Sequence, residues 1–74
     1  MTEPDWIDLD SSTVAQAAFD PDTEAIYVRF IDGGTYAYDE CPPHLWAEFT
    51  APGQSPGKYI NETLKYKPYR KLDD

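Results

Sequence analysis

Cysteine is almost missing from this sequence: Cys41 stands alone, so no internal disulfide can form. Small secreted domains usually depend on such bridges, and their absence points to a reducing, cytoplasmic setting. Histidine is equally scarce. His44 is the only one, which leaves general-base and metal chemistry short of side chains. No apolar run approaches the ~20 residues of a membrane-spanning helix. The opening MTEPDWIDLD carries acids where a signal peptide needs bases and an apolar stretch. Glycines are few, and Gly33-Gly34 and Gly57 fit neither P-loop nor dinucleotide-binding spacing. Cations are missing from most of the chain: residues 1–50 hold eleven acids against the single base Arg29.

What the chain does have is aromatic mass. Eleven of its 74 residues are Phe, Trp or Tyr and 41% are apolar, enough for one small core and well away from the composition of a disordered segment. A chain this short has room for one domain. Residues 51–74 reverse the charge pattern, with Lys58, Lys65, Lys67, Arg70 and Lys71 against Glu62, Asp73 and Asp74. The net charge of −8 is therefore an acidic body joined to a basic final segment.

The pattern predicts an α+β fold: a three-stranded antiparallel meander followed by two short helices packed on one face. Residues 1–10, with isolated Trp6, Ile7 and Leu9 among acids, read as a mostly loose acidic lead-in, and residues 11–74 as the domain. Ser12–Phe19 reads as a first strand closed by the turn residues Asp20-Pro21-Asp22-Thr23. Ala25–Ile31 alternates, with Ile26, Val28 and Phe30 on one face and Tyr27, Arg29 and Ile31 on the other. A three-residue loop, Asp32-Gly33-Gly34 with Gly34 left-handed, would pair Phe30 with Tyr36 and Val28 with Tyr38. That loop puts Ile26, Val28, Phe30, Tyr36 and Tyr38 on one core face. Pro42-Pro43 suits the start of a helix over HLWAEFTA, ending by Pro52-Gly53. Ser55 with Pro56 suits the start of a second, in which Ile60 and Leu64 share a stripe. Leu45, Phe49, Ile60 and Leu64 should cover the sheet. Pro68 argues against further helix, leaving an extended end.

Few residues offer chemistry. Cys41 and His44 lack further ligands for a metal, and Cys41 suits a small buried site. Asp20, Asp22 and Glu24 show the alternate spacing of a calcium loop without its glycine and distal glutamate, and suit turn formation better. Ser11 and Ser12 lack a partner base and suit local hydrogen bonding at the first strand. No cofactor, metal or catalytic set is expected. The strongest functional signal is the interleaving of bases and tyrosines in Lys58, Tyr59, Lys65, Tyr66, Lys67, Tyr69, Arg70 and Lys71. Tyrosines stack on unpaired nucleobases while bases neutralise phosphates. The competing reading is a protein-binding module or an inhibitor of a nucleic-acid-binding protein, using Asp20, Asp22, Asp39 and Glu40 against a basic surface.

From Ser11 to Leu72 the chain resembles the KTSC domain, a short module named for its place at the C-terminus of some lysyl-tRNA synthetases and also found alone. The likeness lies in Ser11-Ser12, Phe19-Asp20, the strand ending at Phe30, Tyr36-Ala37-Tyr38, Pro42 and Trp46. It continues through Ala51, Ser55, Gly57, Tyr59, Asn61, Leu64-Lys65 and Tyr66. Phe19 replaces the usual tyrosine, Cys41 the usual valine, and PGQSPG is about two residues longer than typical. The resemblance implies a module rather than a mechanism, with RNA binding or tRNA association as the role suggested by its company with tRNA synthetases; the thin supply of catalytic residues is what points to a non-enzymatic one.

Overall fold

In the computed structural model, residues 5–72 are described. Their order is β1 (Ile7–Asp8), β2 (Val14–Asp20), β3 (Ala25–Phe30), β4 (Thr35–Tyr38), α1 (Pro43–Phe49), α2 (Pro56–Glu62), a 3-10 turn (Leu64–Tyr66) and β5 (Tyr69–Leu72). The sheet has five antiparallel strands in the order β1-β2-β3-β4-β5, so the expected three-stranded meander is corrected by one strand at each edge. Neither added strand carries an alternating apolar signal. Each exists because a neighbouring strand offers unpaired backbone groups: Ile7 pairs with Ala17, and Tyr69 with Tyr38.

The lead-in is accordingly tied down from Trp6 onward. Residues 1–4 lie outside the described residues, as do Asp73 and Asp74. Trp6 sits on the outer sheet face, 6.3 Å from the Tyr27 ring, with the Arg29 guanidinium 4.2 Å from the Trp6 centroid. Arg29 also donates to Gln16, whose amide donates to Asp8 at 3.0 Å. This chain of contacts helps hold β1 against β2.

Local chemistry explains the turns. Ser11 Oγ accepts the N–H groups of Thr13 and Val14, at 3.1 and 3.2 Å, at the start of β2. Asp20 Oδ1 accepts the Asp22 N–H at 3.0 Å in the first hairpin, consistent with acids as turn formers. In the second hairpin the loop has three residues, but they are Ile31, Asp32 and Gly33. Phe30 N–H donates to Gly34 and Gly33 N–H to Phe30, both at 3.1 Å, and Gly33 (φ 106°) takes the left-handed position. Val28 therefore pairs with Tyr36 and Ile26 with Tyr38, a displacement of two residues from the expected pairing. Because the displacement is even, every side chain keeps its predicted face.

The helices start at the prolines, as expected. Pro43 and Pro56 open α1 and α2, whereas the Ser55 hydroxyl makes no capping hydrogen bond. Leu45, Phe49, Ile60 and Leu64 are buried over Ile26, Val28 and Tyr38. Phe30 and Tyr36 are only half-buried and pack at the margin of that cluster. Phe49 is the largest fully buried side chain, with Tyr59 at 5.7 Å and Trp46 at 6.0 Å between ring centroids; Trp46 in turn stacks on Phe19 at 5.8 Å.

Candidate functional site

Two helices of seven residues each cannot cover the inner face of a five-stranded sheet. Cover runs out beside α2, and the inner-face aromatics of β3, β4 and β5 are left to line a groove. Its walls are Phe30, Tyr36, Tyr38 and Tyr69 from the sheet, Asp32 from the hairpin loop, and Asn61 and Lys65 from α2 and the turn beyond it. The volume is about 540 Å³, within the range of small-ligand sites.

The rings form a continuous row. Phe30 meets Tyr36 edge-on at 5.6 Å, Tyr36 lies 6.0 Å from Tyr69, and Tyr69 lies 5.9 Å from Tyr38. Accessibility divides them: Tyr38 is 6% exposed, whereas Tyr69 is 60% exposed. Burial, aided by the neighbouring Tyr36 and Tyr69, pushes the Tyr38 hydroxyl pKa upward, so this member of the row stays neutral. Lys71 pairs directly opposite Tyr36 and shares its face, running past Gly34. Two cations, Lys65 and Lys71, thus border one aromatic trough.

The predicted basic and tyrosine set divides on folding. Lys65 and Tyr69 come together at the groove, with Lys71 beside it opposite Tyr36. Tyr66 is exposed beside it in sequence, with the Lys65 ammonium 5.1 Å from its ring. Tyr59 is removed from the stacking set because its ring is in the core, 6% exposed, with its hydroxyl donating to Glu48 at 2.8 Å. Burial, then that bond and the Glu48 charge, push the Tyr59 pKa upward. Arg70 faces the opposite side of the sheet from Tyr69 and Lys71 and donates twice to Asp39, at 3.1 Å each. Those bonds and the Asp39 charge raise its pKa. Lys58 is exposed on α2 but does not line the groove, and Lys67 is half-buried near Cys41. The residues missed from sequence are Phe30, Asp32, Tyr36 and Asn61. Their signal was the mismatch between the inner-face aromatics Phe30, Tyr36 and Tyr38 and two short helices.

The predicted acidic set gathers at the other end of the strands. Asp20 and Asp22 form the first hairpin turn and Asp39 and Glu40 follow β4. The two segments are joined by the Cys41 N–H donating to the Glu24 carbonyl at 2.8 Å. Glu24 and Glu40 both adopt left-handed backbone, with φ of 54° and 57°. Asp39 is partly neutralised by Arg70. No group of three or more His, Cys, Asp or Glu among the described residues is arranged to hold a metal ion. Cys41 is fully buried, and burial is the main cause of its raised thiol pKa. His44 is exposed in the first turn of α1.

A second hollow lies between the start of β2 and the α1–α2 connection, lined by Ser11, Ser12, Thr13, Gln54 and Ser55 with Asp10 at its side. Its Ser11 oxygen is already engaged by backbone. Among the described residues no helix is long and apolar enough to cross a membrane.

The family model of the KTSC domain matches residues 10–69. A protein of Tsukamurella paurometabola is 33% identical over 57 residues, covering 77% of this chain and 84% of its own length. An uncharacterized protein of Stutzerimonas stutzeri is 29% identical over 62 residues, covering 84% of this chain and 86% of its own. The crystal structure of a KTSC domain protein from Yersinia pestis superposes with a TM-score of 0.89 at 24% identity, over 96% of this chain and 100% of that one. That likeness is one of fold.

Proposed function

The chain belongs to the KTSC domain family, and on that footing we propose that it is a non-catalytic, cytoplasmic module that binds single-stranded RNA in the groove of Phe30, Tyr36 and Tyr69. The carrying observation is the meeting of exposed aromatic surface with Lys65 in one concave site, with Lys71 beside it, paired opposite Tyr36. Nucleobases are flat and apolar on their faces and hang from a polyanion, so a stacking floor bordered by cations matches both halves of a nucleotide. Tyr69 is the stacking platform, and Lys65 and Lys71 meet flanking phosphates. The acidic end lies away from the groove but repels the polyanion at long range, so binding should be weak and strongly dependent on salt.

Fluorescence anisotropy with a labelled single-stranded decamer tests this reading. Replacing Tyr69 by alanine should weaken binding by about 5- to 150-fold, the range of one lost base stack. Each of Lys65→Ala and Lys71→Ala should flatten the salt dependence by roughly 0.7 in slope. Lys58→Ala and Arg70→Ala serve as controls and should change little. Absence of binding at low salt, or binding indifferent to Tyr69, refutes the reading.

The gathering of Asp20, Asp22, Glu24, Asp39 and Glu40 at one sheet end favours a second reading, in which this end meets a basic protein surface. In that case Asp20→Asn and Asp22→Asn slow association, while the groove substitutions are silent.

A further inference from the structure

We infer that the groove selects nucleobases carrying an exocyclic amino group over uracil, with Asp32 as the specificity-determining residue. The inference rests on the RNA-binding reading above. Asp32 is at odds with a site for a polyanion. A carboxylate in the lining repels phosphate, so it cannot add to backbone affinity. It lies at the hairpin tip, exposed, between Ile31 and the left-handed Gly33, and has no hydrogen-bond or ion-pair partner among the described residues. Beyond the turn preference of aspartate, no side-chain contact within the fold accounts for it.

A carboxylate toward a base acts only as an acceptor. Adenine, cytosine and guanine each present an amino group to such an acceptor. Uracil presents a single N–H held between two carbonyl oxygens, and both oxygens repel the carboxylate. Asp32 therefore separates amino-bearing bases from uracil in the groove where Tyr36 and Tyr69 supply the stack. Asn61 lines the same groove, and its amide is likewise without a partner among the described residues. An amide both donates and accepts, so it suits adenine well but does not by itself exclude uracil. Discrimination thus falls to Asp32 and supplementary contact to Asn61.

A single-atom-group comparison tests this. The probes are uridine decamers with one central adenosine, or with one central purine riboside, which keeps the stacking ring and lacks the amino group. Wild-type protein should bind the adenosine probe about 3- to 10-fold more tightly, the scale of one added hydrogen bond. Asp32→Ala should bring that ratio to near one while leaving affinity for plain oligouridine equal or greater. Unchanged thermal midpoints of the variant keep folding out of the comparison. If wild-type binds every probe with a ratio near one, the inference is overturned and the RNA reading survives. If it binds none, both fall. A ratio that persists in Asp32→Ala and disappears in Asn61→Ala overturns the assignment to Asp32.

Discussion

Alternation in β3 places Phe30 in the same row as Ile26 and Val28, yet the folded chain centres its core on Phe49, and truncating the two phenylalanines distinguishes these positions. Phe49 is 1% exposed and touches the rings of Tyr59 and Trp46, so Phe49→Ala forfeits its full transfer energy, leaves a cavity and breaks two aromatic contacts. The expected loss is about 3–5 kcal/mol. Phe30 is half-buried at the groove and makes one edge-on contact with Tyr36. Its side chain already meets solvent on one side, so little cavity results and the loss should be about half as large. Small domains hold roughly 5 kcal/mol in total at the lower end. Phe49→Ala should therefore retain only about 0–2 kcal/mol and unfold at very low urea, and Phe30→Ala should remain folded with a midpoint lowered by about 4–8 °C per kcal/mol lost. Urea titrations followed by far-ultraviolet circular dichroism measure both. Equal losses, or a larger loss for Phe30→Ala, would refute the placement of the core centre beneath α1 and α2.

Alkaline pH provides a second measurement. The folded-state pKa of Tyr59, and likewise of Tyr38, lies above its unfolded value, so its contribution is fully present below pH ~10 and is lost as pH rises beyond it. Urea midpoints from pH 8 to 11 should fall for wild-type and fall less steeply for Tyr59→Phe. Cys41, fully buried with a raised thiol pKa, should react with a thiol reagent at pH 8 only as fast as the domain opens, and completely in urea. Gly57 packs against Thr13 so closely that an added Cβ would lie 3.1 Å from its Oγ1 and 3.2 Å from its Cβ. Gly57→Ala should therefore destabilise by about 1 kcal/mol despite alanine's better helix propensity, and Thr13→Ala in the same chain, which removes the Oγ1 but keeps the Cβ, should recover part of the loss, as read by thermal midpoints.

Much of the fold is legible in the chain because the legible parts are local. Period-two alternation marks β3, turn acids mark the first hairpin, and prolines mark where both helices begin. Leu45, Phe49, Ile60 and Leu64 follow from helical spacing. The second hairpin shows how local rules fall short. Apolar alternation dictates which face Tyr36 and Tyr38 occupy, but two adjacent glycines, both with positive φ, leave open which one closes the loop, and pairing can shift by two residues without moving any face. The strands β1 and β5 were illegible for a different reason. Ile7-Asp8 is too short for a pattern, and Tyr69–Leu72 is mostly exposed. The site was half legible for the same reason: composition identifies tyrosines beside bases, but only the sheet's alternation decides that Tyr69 and Lys71 share the groove's face of the sheet while Arg70 looks away. Tyr59, one helical turn from the α2 start, is turned inward to Phe49 and Glu48.

The pairing of β4 with β5 also has a consequence in time. Tyr69 meets Tyr38 across the whole of α1 and α2, a contact separated by more chain than any other strand pairing in the sheet. Closing that span carries the largest loop entropy in the sheet, and during synthesis residues 69–72 emerge after every other described element. A nascent chain that has already docked its helices therefore presents β4 as an open edge, with Tyr36 and Tyr38 uncovered on one flank. In that interval it is open to pairing with a neighbouring nascent copy. The residues that complete the groove are thus also the ones that end this exposure, so substitutions in Tyr69–Leu72 should be judged by yield of soluble protein as well as by ligand affinity.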